Sequence, residues 1–281
     1  MFYILRRRGL GLGSTKAIKE LSQHEITIIR NDKLPEFKLK DVILRWGCVS
    51  TIPADPDITI TLNKSAAISV VSNKSFFRSV LQANVPEIIP KTWFNYHDPN
   101  ITYPCILRPA THAQGKNLFL CQTFEGLQKA YLYTPCFVQD KYYISEYIPK
   151  VAEYRVCFIQ GLVAWVANKI PKDPQAIAWN VAQGSKFENV SWKKWPIDVI
   201  ETAHKAYLIS GLYFGGVDVI VDKDGRSYVL EINSAPSHTS PYRKQCTTKC
   251  IDYGVTNKNF AHLPQNENFK KYGKWLHPAL K

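Results

Sequence analysis

The run Gly215-Gly216-Val217-Asp218-Val219-Ile220-Val221-Asp222-Lys223-Asp224-Gly225-Arg226-Ser227-Tyr228-Val229-Leu230-Glu231-Ile232-Asn233 restricts what this chain can fold into more than any other stretch. Two β-branched segments flank Asp224-Gly225, and Asp-Gly in that setting is the strongest short-range hairpin signal. A two-residue turn there predicts the register by counting outward. Lys223 then faces Arg226, Asp222 faces Ser227, Val221 faces Tyr228, Ile220 faces Val229, Val219 faces Leu230, and Asp218 faces Glu231. Side chains alternate along a strand, so Asp218, Glu231 and Asn233 share one face. The other face reads Val219, Val221, Tyr228, Leu230 and Ile232, an apolar core surface.

Two carboxylates placed directly across a ladder repel by roughly 0.2–1 kcal/mol. A cation held between them turns that repulsion into a binding site. Asp, Glu and Asn offer only oxygen donors, which suits Mg²⁺ (or Mn²⁺) shared with substrate phosphates. The alternative is a solvent-facing hairpin whose acids pair with Lys or Arg.

The rest of the chain narrows the choice. No stretch approaches 18 uninterrupted apolar residues, and Met1–Leu5 is followed, not preceded, by basic residues. Neither a membrane span nor a secretory signal is expected, and the setting is cytoplasmic. Seven scattered cysteines read as buried free thiols of a reducing compartment. Cys246 and Cys250 lie near His238 and His262, but no Cys-x-x-Cys pair supports zinc. The formal charge of +13 is concentrated in the first forty residues and in 243–281. Such excess favours acidic partners. No nucleic-acid motif accompanies it, so a nucleic-acid partner has charge alone behind it.

Taken in order, Phe2–Leu5, Glu25–Arg30 and Asp41–Arg45 read as strands around a helix that ends near Leu21, with Ser14 or Thr15 as its cap. Strands alternating with helices predict a small parallel sheet. The loop Gly9–Gly13 does not match G-x-G-x-x-G. Ala66–Val71 and Lys74–Leu81 are short helices, the second capped by Ser72. Tyr103–Pro109 is a strand that ends at Arg108, followed by the small-residue loop Ala110–Asn117 and a strand at Leu118–Cys121. A cation at a strand end beside a flexible loop suits phosphate. A helix near Thr123–Tyr131 precedes the strand Tyr142–Ile148. Glu153–Ile159 and Leu162–Ile170 form a hairpin across Gln160-Gly161, and the helix Ile197–Leu212 ends near Gly211.

A strand bearing Asp218, a turn, and then Leu230-Glu231-Ile232-Asn233-Ser234-Ala235-Pro236 resembles the metal-binding hairpin of the ATP-grasp ligases. The order Leu62-Asn63, helix, Asn73-Lys74, helix, Pro90-Lys91-Thr92 resembles that family's entry into its nucleotide-binding half. The similarity runs from about Asn63 to Pro241. It is greatest to carboxylate–amine ligases such as ribosomal-protein glutamate ligases, glutathione synthetase and D-alanine–D-alanine ligase, with a compactness similar to phage-encoded members. Departures are Arg108 in place of the usual lysine, fewer glycines in the lid loop, and Ser237 where glycine usually follows Ala-Pro.

The resemblance implies an α/β protein with α+β lobes, an ATP-grasp fold preceded by a small Rossmann-like domain. Its parts would be a pre-ATP-grasp domain (1–62), linker helices (63–102), a lid (103–148), a C-terminal subdomain with the metal hairpin (149–241), and a basic tail (242–281). It assigns Mg²⁺ to Asp218, Glu231 and Asn233. ATP goes to Lys74, Ile106, Arg108, Gly115, Lys116, Glu146, Tyr147 and Ile148, and transfer chemistry to Arg155, Lys169 and Asn180. The implied reaction joins a carboxylate to an amine acceptor, acidic overall, through an acyl-phosphate, releasing ADP and phosphate. The alternatives are a kinase-like phosphotransferase of the same fold and a basic nucleic-acid-binding protein with a degenerate nucleotide site.

Overall fold

The structure, a computed structural model, describes residues 1–7, 13–52, 60–110, 117–133, 142–179, 181–267 and 273–281. Among the described residues there are three sheets. The first is parallel, with strands β1 (Phe2–Arg6), β2 (Ile26–Arg30), β3 (Val42–Trp46) and β4 (Ile60–Leu62) in the order β2-β1-β3-β4, and helix α1 (Gly13–Leu21) between β1 and β2. Two helices follow, α2 (Ser65–Ser72) and α3 (Lys74–Asn84). The antiparallel lid sheet is β5 (Thr92–Trp93), β6 (Cys105–Pro109), β7 (Phe119–Cys121) and β8 (Tyr142–Glu146), ordered β5-β8-β6-β7, with α4 (Phe124–Tyr133) between β7 and β8. The largest sheet is antiparallel. It comprises β9 (Lys150–Ile159), β10 (Leu162–Ile170), β11 (Lys186–Val190), β12 (Phe214–Asp222) and β13 (Ser227–Asn233), ordered β11-β10-β9-β12-β13. Helix α5 (Ile197–Ser210) leads into β12, and α6 (Pro241–Thr256) follows β13.

The strand alternation of the large sheet decides where a site can form. On one face Val156, Phe158, Val163, Val166, Val217, Val219, Val229 and Ile232 pack with Val199, Ile200, Ala203 and Tyr207 of α5 and with Ile68, Val71, Phe77 and Leu81 of α2 and α3. On the other, Cys157, Ile159, Ala164, Trp165, Ala167 and Phe214 pack with Ile4, Ile18, Leu44 and Trp46 of the first unit and Cys246, Cys250 and Ile251 of α6. Following that second face toward the opposite strand ends, Ile159 and Cys157 give way to Arg155 and Glu153, and Ala167 to Lys169. The apolar cover stops there and a polar cavity begins.

Asn63 fastens the parts. It is 1% exposed with φ 59°, a left-handed conformation that Asn tolerates better than most residues. Its Oδ1 accepts from the Tyr213 and Phe214 backbone N–H groups at 2.8 and 3.1 Å, and its Nδ2 donates to the Phe214 carbonyl at 3.0 Å. The amide thus completes the backbone pairing at the start of β12.

Several elements differ from the sequence expectation. The helix at Lys74 is capped by Asn73, whose side chain accepts from Phe76 N–H at 3.1 Å, not by Ser72. The segment read as a basic tail is folded. α6 is 16 residues long, and its Asp252 accepts from Ser22 Oγ (2.6 Å) and Gln23 N–H (3.0 Å) beyond α1. Farther on, Leu263 N–H donates to the Gln160 carbonyl (2.7 Å), and His277 N–H donates to that of Val163 (3.2 Å). These contacts strap the chain end to the β9–β10 turn.

Removing the Asn63 amide leaves three buried backbone groups at the start of β12 without partners, so Asn63→Ala is expected to lower stability by about 2–4 kcal/mol. Denaturant unfolding measures it, and a change below about 0.5 kcal/mol, the usual range for an inconsequential surface site, would refute this fastening role.

Candidate active site

The hairpin brings Asp218 directly opposite Glu231, but not by the route expected. The turn is longer. Asp222 N–H donates to the Arg226 carbonyl at 3.0 Å, Gly225 N–H donates to that of Asp222 at 3.1 Å, and Gly225 has φ +81°. Asp222 Oδ1 also accepts from Asp224 N–H (2.9 Å) and Arg226 N–H (2.8 Å), stitching a three-residue loop in place of a two-residue one. Near the turn the pairs are therefore Val221–Ser227, Ile220–Tyr228 and Val219–Val229, one residue off the expected register. A bulge between Val219 and Asp218 then absorbs Leu230 and restores the expected pairing beyond it. As a result Val229 sits in the core and Leu230 lines the cavity. Tyr228 is half-buried, with its hydroxyl donating to Asp222 Oδ2 at 3.3 Å.

The cavity measures about 960 Å³, at the upper end for small-molecule sites. Its walls carry Lys74, Arg108, Lys150, Glu153, Arg155, Lys169, Asp218, Glu231, Asn233 and Arg243. Arg155, beside Asp218 on the neighbouring strand β9, forms a two-pronged pair with it, Nε–Oδ1 2.6 Å and Nη2–Oδ2 2.7 Å. Lys74, the first residue of α3, donates to Glu231 Oε2, and Asn233 Nδ2 donates to Glu231 Oε1 at 3.1 Å. Glu153 on β9 takes Lys150 at 2.6 Å and Lys169 at its other oxygen. Each carboxylate in the cavity thus has a cation on it.

Helix α3 holds this arrangement from behind. Its Lys74 backbone N–H donates to the Ala110 carbonyl at the end of the lid strand β6 (3.1 Å). One turn on, the buried Arg78 donates through Nη2 to the carbonyl of the bulged Leu230 (3.0 Å) and lies over the Tyr143 ring. Burial brings the Arg78 guanidinium down to about 10. Gly216 is needed on the other side: a Cβ there would stand 3.0 Å from Pro236 Cβ and 3.5 Å from Arg155 Cδ.

The electrostatics follow from burial against pairing. Burial would push the Glu231 carboxyl up, but the Lys74 ammonium, the Asn233 amide and Arg155 bring it down to about 2. Burial would likewise pull the Arg155 guanidinium down, and Asp218 holds it above its ordinary value. Lys150 lies over the Trp179 ring and is held below its ordinary value, burial outweighing Glu153.

Of the residues picked out from sequence, Lys74, Arg108, Arg155, Lys169, Asp218, Glu231 and Asn233 line one cavity. Ile106, Glu146, Tyr147 and Ile148 lie outside its lining, in and beside the lid sheet. There Glu146 N–H donates to the Lys91 carbonyl (2.9 Å) and Tyr147 N–H to that of Pro104 (3.2 Å). Gly115, Lys116 and Asn180 lie outside the described residues, as do Arg8 and the glycine loop 9–12. Reading the sequence missed Lys150, Glu153, Trp179, Phe187, Leu230 and Arg243. Glu153 had a signal, since it sits two residues from Arg155 and so on the same strand face; Arg243 had none.

The donor set fits a hard divalent cation. Asp218 and Glu231 are in direct cross-strand register with Asn233 beside them, all offering oxygen. Among the described residues no cluster of His, Cys, Asp and Glu offers a different metal centre.

A four-stranded and a five-stranded antiparallel sheet clasping such a cavity behind a small parallel domain are the ATP-grasp architecture. The RimK-like ATP-grasp domain model matches residues 80–251, more than half the chain, and this protein belongs to that family. ATP-dependent ligase chemistry goes with that membership. No curated protein matches the sequence. Solved structures with this fold include the D-cycloserine synthetase DcsG (12% identity, covering 88% of this chain and 98% of that one, TM-score 0.62). Another is D-alanine–D-alanine ligase from Bacillus anthracis (12% identity, 92% and 95%, TM-score 0.61). A third is the ATP-grasp ligase PsnB in complex with minimal precursor, Mg and ADP (12% identity, 87% and 95%, TM-score 0.61).

Glu231 has a lowered folded pKa, so its pairing with Lys74 stabilises the protein fully above the ordinary carboxyl value of 4.5 and loses that stabilisation as pH falls toward about 2. Stability measured against pH should therefore fall less steeply over this interval in Glu231→Gln than in the parent. Superimposable acid limbs would contradict the pairing.

Proposed function

We propose that this protein is an ATP-dependent ligase that joins a carboxylate to an amine through an acyl-phosphate. The observation that carries this reading is the cavity wall itself. Glu231, Asp218 and Arg155 stand in one register row across β13, β12 and β9, with Lys74 on Glu231 and with Lys150 and Lys169 on Glu153 beside them. Buried acids and bases in such density are costly unless paired. Here they are paired, and the pairs can exchange partners when phosphates and a divalent ion enter.

In this reading Asp218, Glu231 and Asn233 would hold the magnesium, which would supply charge neutralisation to the ATP phosphates. Lys74 and Arg155, which pair with those same carboxylates, would meet phosphoryl oxygens. Arg108 reaches the phosphates from the lid; its buried Nε has no partner among the described residues. Lys150 and Lys169 remain on Glu153, which fixes their ammonium groups at the cavity wall. One oxygen of the substrate carboxylate attacks the γ-phosphorus and ADP leaves. The amine then attacks the acyl carbon, and phosphate departs with that oxygen. Arg155 and Lys169 offset the negative charge that develops on the transferring phosphoryl and on the tetrahedral carbon. No side chain becomes covalently attached, in keeping with a cavity lined by cations rather than by a nucleophile paired with a base.

Leu230 and the half-buried Ile177 and Ala178 supply apolar surface to the cavity, suited to a purine base. Gly115, Lys116 and Asn180 belong to the same reading as lid and transfer residues, and Ile106, Glu146, Tyr147 and Ile148 as the hinge beside the base. Among the described residues no helix is long and apolar enough to cross a membrane. The six described cysteines are free and buried, which supports a reducing, cytoplasmic setting.

The test is ADP release by purified protein supplied with ATP, Mg²⁺, and a carboxylate and amine in combination. Release should require both. Asp218→Asn and Glu231→Gln should each lower it by at least about 100-fold, the scale of losing one electrostatic group at a transferring centre, with near-UV circular dichroism unchanged. Full turnover in either folded variant would remove the metal assignment. Release that needs a hydroxyl and no amine would replace the ligase by a phosphotransferase.

A further inference from the structure

Among the described residues the cavity lining carries seven Lys and Arg side chains against three acids. An aromatic ring stands among them. Phe187 is half-buried on β11, the edge strand of the large sheet, and lines the cavity. Arg155 Cζ lies 4.9 Å from the centre of its ring, Lys169 Nζ 5.2 Å and Arg243 Cζ 5.6 Å. Three like charges gathered around one ring repel one another, so their meeting there needs a cause.

The register of the sheet supplies the placement. Phe187 stands directly across from Lys169 on β10, and Arg155 of β9 stands across from Ala167, two residues earlier on β10. Strand alternation therefore puts Arg155, Ala167, Lys169 and Phe187 on one face. Strands β9 and β11 are not neighbours, and with β10 between them they run about 10 Å apart. Ring and guanidinium meet across β10 where its side chain is the methyl group of Ala167, small enough to let them.

A ring differs from an acid in a way that matters beside an anion. Asp218 and Glu153 hold Arg155 and Lys169 by opposite charge, and that charge subtracts from the field an entering phosphate meets. The face of an aromatic ring attracts a cation through its quadrupole and carries no net charge. In the ligase reading Asp218 is shared with a divalent cation, which leaves the Phe187 ring as the contact that Arg155 keeps. The ring also packs against the apolar cluster beneath α6. An aliphatic side chain of similar bulk would serve that packing and offer the cations nothing.

We infer that Phe187 is a positioning residue for phosphoryl transfer: the electron density of its ring holds Arg155 and Lys169 together on the cavity wall without neutralising them. The inference rests on the ligase reading for the reaction that these cations serve. The contact between ring and cations is a property of the resting protein and does not need turnover. Ground-state binding of ATP falls to other groups, Lys74 and Arg108 among them, so the ring acts on rate more than on nucleotide affinity.

The test replaces Phe187 in the full chain by phenylalanines bearing one, two and three ring fluorines, which drain the ring face of electron density and nearly keep its shape. The logarithm of kcat for ADP formation should fall in step with fluorine number. At three fluorines the loss should reach roughly 3- to 30-fold, the range of a cation–π contact converted to a rate. The KM for ATP should stay within about threefold, as for a group felt in the transition state. Phe187→Tyr should keep most of the rate, and Phe187→Leu should lose at least as much as the trifluoro ring; if Phe187→Leu fails to fold, the fluorinated series stands without it. A readout free of turnover is carbon-13 NMR of labelled lysine. The Lys169 ε-methylene signal, assigned by its loss in Lys169→Arg, should be shifted upfield by the ring and should relax in Phe187→Leu. Equal kcat across the fluorinated series, or a Lys169 signal indifferent to Phe187, would overturn the inference. Ligation that ignores fluorine number removes the positioning role and leaves the ligase reading standing. The graded series read in hydroxyl-dependent ADP release, with no amine-dependent release, leaves Phe187 standing and removes the ligase.

Discussion

The structure depends on keeping two carboxylates opposed across a ladder in a largely buried place. Asp218 and Glu231 repel each other and lose hydration, and neither effect is tolerable alone. The protein answers with Arg155 on the next strand and Lys74 on a helix from another part of the chain. Those two pairs tie β9, β12, β13 and α3 into one unit. In the ligase reading proposed above, a cation or a phosphate takes the place of either partner. Glu153 repeats the device one step along β9, holding Lys150 and Lys169 close together.

The supporting parts follow from that demand. The cavity needs a polar face on a sheet that is otherwise covered on both sides. The sheet provides it by extending past the small N-terminal unit and α6, where apolar residues give way to charged ones within single strands. Asn63 fixes the entry to β12, Arg78 takes the carbonyl that the Leu230 bulge sets free, and Gly216 leaves room for Pro236 and Arg155 to lie together. The backbone of Lys74 reaches Ala110 of the lid while its side chain holds Glu231. One helix end therefore links the end of β6 to the paired carboxylates of β12 and β13.

Much of this is legible in the sequence because it rests on local rules. The Asp218–Glu231 pairing follows from strand alternation and an Asp-Gly turn, although two departures from ideal counting cancel. The Asp222 side chain draws the turn out by a residue, and the Leu230 bulge takes the residue back. Nothing local announces that bulge, since it is sustained by Arg78 from a distant helix. Lys74, Arg108, Arg155 and Lys169 were found through flanking patterns, and the structure brings them to one cavity. Arg243 could not be found that way. Its helix is not strongly amphipathic, and its partners are the Thr239 hydroxyl and the Trp165 and Phe187 rings on other strands. The fold of residues 242–281 was also hidden, because its contacts with Ser22, Gln23, Gln160 and Val163 all lie far away in the chain.

The central claim is that the substrate carboxylate becomes an acyl-phosphate on this cavity wall. It is tested most directly by labelling both oxygens of the carboxylate substrate with the heavy isotope and analysing the phosphate released during turnover by mass spectrometry. The account predicts that a single labelled oxygen appears in the phosphate for each bond formed, since the attacking oxygen leaves with phosphorus. Phosphate that carries no label while the amide accumulates would contradict it.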